Sequence, residues 1–364
     1  PVVATRRVNV SARRAHPACR RDWSRVVPHA PANTRIPHTE YIFHRQFTLQ
    51  TTGLDPESED PRESDQAFAR LARLLDYDFM WATFPLKYDG PRTEMGHGQY
   101  TETGRDIAPA TKPFTTPEQV LAFEPERDLH GPPTEQLAGM VRDWHTRTQA
   151  DYDQAVVPGG FYHGVFTWPI ITFGWEPFLL AAAIDEQRFD RILEGFTRIT
   201  ERVVEAHIAA CVPVFLWHDD IAWTSGPPFA PQWYRQHIFP RYRRLWARLR
   251  EAGIKVLFCS DGDFTGFLAD LADAGADGFI FEPYTRLEAV AEHFGRTHVI
   301  IGNIDTRILT FGTCDAIRAE VRRCAHLGRD CPGYFFAVGN HVPYNVPIPA
   351  IECYLEAIRE MGRR

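Results

Sequence analysis

Gly253-Ile254-Lys255-Val256-Leu257-Phe258-Cys259-Ser260-Asp261-Gly262-Asp263 is a short apolar run that breaks into turn chemistry. Ile254 to Phe258 is too short and too rich in β-branched and aromatic residues for a helix, and it reads as a buried parallel strand. Cys259, Asp261 and Asp263 follow just past its C-terminal end, where α/β enzymes carry their reactive groups. Phe264, Phe267, Leu268 and Leu271 then recur at helical spacing. By itself Asp261-Gly262-Asp263 also suits a plain polar turn with a helix cap, so the other strand ends decide.

Outward from this stretch the pattern repeats. Tyr77 to Phe84, Gly160 to Phe166, Val212 to Trp217, Gly278 to Phe281, Val299 to Ile301 and Tyr334 to Val338 are further apolar runs, each followed by helical periodicity. The helix over 185–209 puts Phe189, Ile192, Leu193, Phe196, Ile199, Val203 and Val204 on one face. Alternation of this kind predicts a parallel sheet with right-handed crossovers. Seven strands are one short of a closed barrel. The eighth is expected either around Ile36 or within residues 85–130, a long Gly- and Pro-containing stretch read as a loop or insertion.

Composition sets bounds. The 364 residues suit two ordinary domains or one large barrel, the 44% apolar content supports a sizeable core, and a net charge of -7 speaks against nucleic-acid binding. Seven cysteines without a Cys-x-x-Cys pair suggest a reduced, cytoplasmic protein, and no apolar run reaches the length of a membrane span. The first 21 residues carry six Arg and no acid, so residues 1–34 are expected to be a basic extension and 35–364 a single barrel domain.

The strand ends are polar where the strand bodies are not. They hold His218, Asp219 and Asp220; Cys259, Asp261 and Asp263; Glu282 and Tyr284; Asn303, Asp305 and Arg307; Asn340, His341 and Asn345. Five such ends at one face of a barrel predict a site. His163, His207 and His237 lie on strand or helix bodies and read as structural.

From about Val214 onward the chain resembles the uroporphyrinogen decarboxylase superfamily. The similarity rests on His218-Asp219-Asp220-Ile221, Ser225-Gly226-Pro227, Phe258 to Asp263, Gly302-Asn303-Ile304-Asp305 and Gly339-Asn340-His341 leading to Pro347, with Arg35-Ile36-Pro37 similar to the family's N-terminal segment. The resemblance implies a (β/α)8 TIM barrel with a cleft at the strands' C-terminal ends. Two departures speak against haem synthesis: the family's N-terminal Arg-Gln-Ala-Gly-Arg grip is missing, and Trp81-Ala82-Thr83-Phe84 stands where the first strand's Asp belongs. The family's zinc methyltransferases use His-x-Cys and a later Cys, whereas those places here hold Cys259, Asp261 and Asn340 or His341.

These residues lead to an expectation of decarboxylase-like acid–base chemistry on a small anionic organic substrate. Asp219, Asp220, Asp261 and His341 are the expected catalytic groups. His218, Asp263, Tyr284, Asn303, Asp305, Arg307 and Asn340 are expected to bind substrate. An alternative has Cys259, Asp261 and His341 hold zinc for methyl transfer between a corrinoid protein and a thiol; otherwise no cofactor is needed and Cys259 packs as a small apolar residue. A non-catalytic binding protein on the same fold is the remaining reading, and a homodimer fits the resemblance.

Overall fold

The computed structural model describes residues 35–93 and 112–363; the basic segment and part of the long loop lie outside them. In chain order the strands are β1 (Ile42–Phe43), β2 (Gly159–Phe161), β3 (Val214–His218), β4 (Lys255–Ser260), β5 (Gly278–Phe281), β6 (Val299–Ile301), β7 (Tyr334–Phe335) and β8 (Val342–Pro343). β2 to β7 form one parallel sheet in sequence order, and β1 pairs with β8 as a separate parallel ladder.

Two further extended segments close the barrel. Phe336 donates to the carbonyl of Pro37 at 2.9 Å and accepts from Thr39 at 3.1 Å, so residues 36–39 lie against the end of β7. Asp78 donates to His38 at 2.9 Å, Val156 to Asp78 at 3.0 Å and Met80 to Val156 at 2.9 Å, which carries the ladder through residues 77–80 to β2. The eighth strand is therefore the opening segment around Ile36. The expected strand over Tyr77 to Phe84 contributes mainly this short ladder, with one bridge at Phe79.

The pleat sorts the core into two layers. Val214, Leu216, Leu257, Cys259, Ile280, Val299, Ile301, Phe335, Ala337 and Phe79 fill the barrel interior. Alternate positions such as Phe215, Trp217, Val256, Phe258 and Phe279 pack against the helices. The helix Glu186–Ala209 buries its seven predicted apolar residues. The stretch read as a strand to Phe166 is corrected: β2 ends at Phe161, and Thr167–Phe173 is a helix with every residue buried. Pro231–His237 and Phe239–Glu251 are separate helices, with Pro240 in the first turn of the second.

The expectation of reduced cysteines is also corrected, because Cys314 and Cys353 form a disulfide. It joins the start of helix Cys314–Gly328 to helix Ile348–Met361, two elements whose packing brings the sulfurs together. Among the described residues no single helix is long and apolar enough to cross a membrane.

Candidate functional site

At the C-terminal ends of β3 and β4 the inward row of the pleat continues from apolar to polar residues. His218 and Asp220 extend the row of Val214 and Leu216, and Asp261 extends that of Leu257 and Cys259. One potential ligand atom from each of His218, Asp220 and Asp261 lies within 4.8 Å of the others. Asp220 Oδ1 accepts from the Asp261 backbone N–H at 3.0 Å and stands 3.5 Å from His218 Nε2. His218 Nδ1 is 3.1 Å from the Tyr162 carbonyl, an acceptor only, so Nδ1 carries a proton and donates it there. The Tyr162 ring stacks on the imidazole with centroids 4.1 Å apart.

Glu282 and Asn340 complete the cluster. Asn340 Nδ2 donates to Glu282 Oε1 at 3.1 Å and reaches Asp261 at 3.3 and 3.4 Å. Glu282 Oε2 accepts from the Gly262 N–H at 3.1 Å. Gly262 has φ +75°, and a Cβ there would lie 2.5 Å from the carbonyl oxygens of Ala222 and Trp223, so only glycine fits this turn. His341 Nδ1 donates to Asn340 Oδ1 at 2.7 Å.

The electrostatics follow from burial and crowding. Burial first, and then Asp220 and Glu282, hold the Asp261 carboxyl well above the usual carboxylate range. Burial, followed by Asp261, Asp220 and Glu282, pushes the Cys259 thiol well above its ordinary value. Burial lowers the His341 imidazole and keeps it neutral.

Of the residues expected at the site, His218, Asp220, Asp261, Asn340 and His341 come together. Asp219 does not. It faces the helix layer, fully buried, and accepts from the backbone of Phe166 at 3.0 Å and of Thr167 at 2.5 Å and from the Tyr242 hydroxyl at 2.6 Å. Burial raises its carboxyl while these donors pull it down, and its role is to cap the helix beginning at Thr167. The expected ligand set of Cys259, Asp261 and His341 is not one of the convergent groups among the described residues, and Cys259 packs in the barrel interior.

Five more of the expected residues have their contacts outside this cluster. Asp263 closes a turn by accepting from Thr265 N at 3.0 Å. Asn303 is buried and bridges the Thr285 carbonyl at 2.9 Å and Arg323 at 3.0 Å. Asp305 caps helix Thr306–Phe311 and pairs with Arg307 at 2.6 Å. The Arg307 guanidinium lies 5.0 Å from the centre of the Tyr284 ring. Conversely, Glu282, named among the polar strand ends but given no role, joins the cluster, and Tyr162 was missed. Strand parity carries the signal for Glu282, two positions beyond inward-facing Ile280; nothing local marks Tyr162.

A closed (β/α)8 barrel that gathers an imidazole and three carboxylates beyond its strand ends has the architecture of the barrel enzymes. Residues 90–361 match the family model described as Uroporphyrinogen decarboxylase (URO-D), and the chain belongs to that family. It is 26% identical over 212 residues to a uroporphyrinogen decarboxylase of Thermus thermophilus, covering 53% of this chain and 60% of that one. It is 34% identical over 193 residues to one of Salinispora tropica, covering 48% and 50%. The chain thus spans only about half to three fifths of the length of these curated relatives. A methyltransferase structure from Methanosarcina mazei has the same fold, with a TM-score of 0.63 and 16% identity over 92% of this chain and 96% of that one.

Proposed function

We propose that this family member is an enzyme of the methyltransferase type in which His218, Asp220 and Asp261 hold a divalent cation, zinc among them, with a corrinoid protein as the partner with which the methyl group is exchanged. The observation that carries the reading is the convergence of three ligand atoms from two strand ends within 4.8 Å. Imidazole plus two carboxylates is a legitimate set for zinc, and three protein ligands are the number found in catalytic zinc sites. The likeness of fold to the Methanosarcina methyltransferase supports the same direction.

When bound, the cation supplies Lewis acidity to a coordinated substrate atom. The remaining work falls to the chain. Asn340 orients the Asp261 and Glu282 carboxylates, and the Tyr162 carbonyl fixes the His218 tautomer. The His341 ring donates through Nδ1 to Asn340 and leaves Nε2 as a hydrogen-bond acceptor. Three carboxylates repel an anionic substrate unless a cation or protons offset them.

Acid–base decarboxylation is the second reading, favoured by the Asp261 carboxyl, which burial and the neighbouring Asp220 and Glu282 push in the direction a general acid needs. Elemental analysis of protein purified without chelator, with titration of Zn2+ into wild type and Asp220→Asn, separates the two. Stoichiometric metal lost in the variant supports methyl transfer. Wild type that purifies metal-free and takes up none supports proton transfer.

A further inference from the structure

We propose that the centre is a thiolate-free cation site, with His218 Nε2 and the Asp220 and Asp261 carboxylates as protein ligands and Cys259 excluded, and that its substrate presents a neutral oxygen or nitrogen rather than a thiolate. This rests on the metal reading above and departs from the His-x-Cys pattern that the family resemblance implies. The first argument is the tautomer. With Nδ1 donating to the Tyr162 carbonyl at 3.1 Å, the Nε2 lone pair faces Asp220 Oδ1 at 3.5 Å. Two acceptors facing one another in a pocket only partly open to water call for a cation or a proton between them, and a His tied back to a carbonyl is the usual arrangement of a metal ligand. His218 is only 7% exposed, so water does little to relieve the repulsion.

The second argument concerns Cys259. It sits one pleat below Asp261 on the same inward row and is packed with Val214, Leu216, Leu257 and Ile280. Among the described residues it joins no convergent ligand group. Only nitrogen and oxygen donors then face the centre, a harder set than Cys-containing sites offer.

The third argument is charge. Two carboxylate ligands already offset a 2+ ion. Glu282 stands beside them with both oxygens accepting, from Gly262 and Asn340. An incoming thiolate would add negative charge to this acidic pocket, whereas a neutral donor adds none.

Co2+ added to the purified full chain tests this by its spectrum, independently of turnover. Stoichiometric binding without an intense near-ultraviolet thiolate-to-cobalt band is expected. Affinity should be unchanged in Cys259→Ala and should fall by at least about tenfold in His218→Gln and Asp220→Asn. Imidazole should perturb the visible bands, and 2-mercaptoethanol should produce no thiolate band. A band in the wild-type complex that Cys259→Ala removes, or one that appears with the added thiol, overturns the inference while leaving metal-assisted transfer standing. If Cys259→Ala does not fold, the band in wild type decides alone. Failure of Co2+, Zn2+ and Mn2+ all to bind removes both.

Discussion

Asp219 and Asp220 share a strand end and face opposite sides of it. Asp219 satisfies three donors under the helix that begins at Thr167, so Asp219→Ala should leave two backbone N–H groups and a buried hydroxyl unpaired. The expected cost is about 3–5 kcal/mol, measured as a fall in the urea midpoint. Asp220 instead crowds Asp261, and relieving that repulsion should preserve or raise thermal stability in Asp220→Asn while activity drops by roughly 100-fold or more. Both acids were legible as strand-end residues, but their difference lies in pleat parity, since Val214, Leu216, His218 and Asp220 form one row and Phe215, Trp217 and Asp219 the other. His207 gives a separate test. Burial lowers its pKa from 6.5 to about 4, against a hydrogen bond from Nδ1 to the Val203 carbonyl at 2.7 Å. The unfolded chain therefore binds more protons between these values: stability is complete above pH 6.5 and falls as pH drops towards 4, by about 3 kcal/mol in all. Urea unfolding of wild type and His207→Leu at pH 4.5 and 7.5 should show that part of the slope only in wild type.

Among the elements, the helices were read best, because a 3.6-residue apolar period survives in Glu186–Ala209 and Ile348–Met361 whatever surrounds them. The run from Gly160 to Phe166 misled because a continuous apolar stretch does not separate a core strand from the approach to a buried helix. The capping of that helix depends on Asp219, over 50 residues away, which no local pattern records. The disulfide was illegible for a related reason. Cys314 and Cys353 are separated by 39 residues, and only the packing of their two helices brings them together. In a chain-entropy account, closing a loop of that length stabilises the fold by about 4 kcal/mol. Reductant, or Cys353→Ala, should accordingly lower the melting temperature, and scans with and without dithiothreitol check it. A melt indifferent to reductant would mean that the bond adds nothing to the packed helices.

At the scale of the whole molecule the (β/α)8 class could be read from strand–helix alternation, with Tyr77 to Phe84 among the strands, but the place of the eighth strand was left open between Ile36 and residues 85–130. The closing segments, residues 36–39 and 77–80, make only a few ladder bonds each, too few for a sequence pattern to decide between them. Their hold comes from distant partners: the buried Glu40 carboxylate accepts from Val338 N at 3.1 Å and from the Tyr354 hydroxyl, and Ile36 donates to the Gly362 carbonyl at 2.6 Å. That seam has a consequence during synthesis. Glu40 and Val338 are 298 residues apart, so at about 5–20 residues per second the opening strand leaves the ribosome about 15–60 s before its partner is made. Throughout that interval its far edge is open to pairing with a neighbouring nascent chain, and the barrel cannot close until the segment around Val338 has emerged.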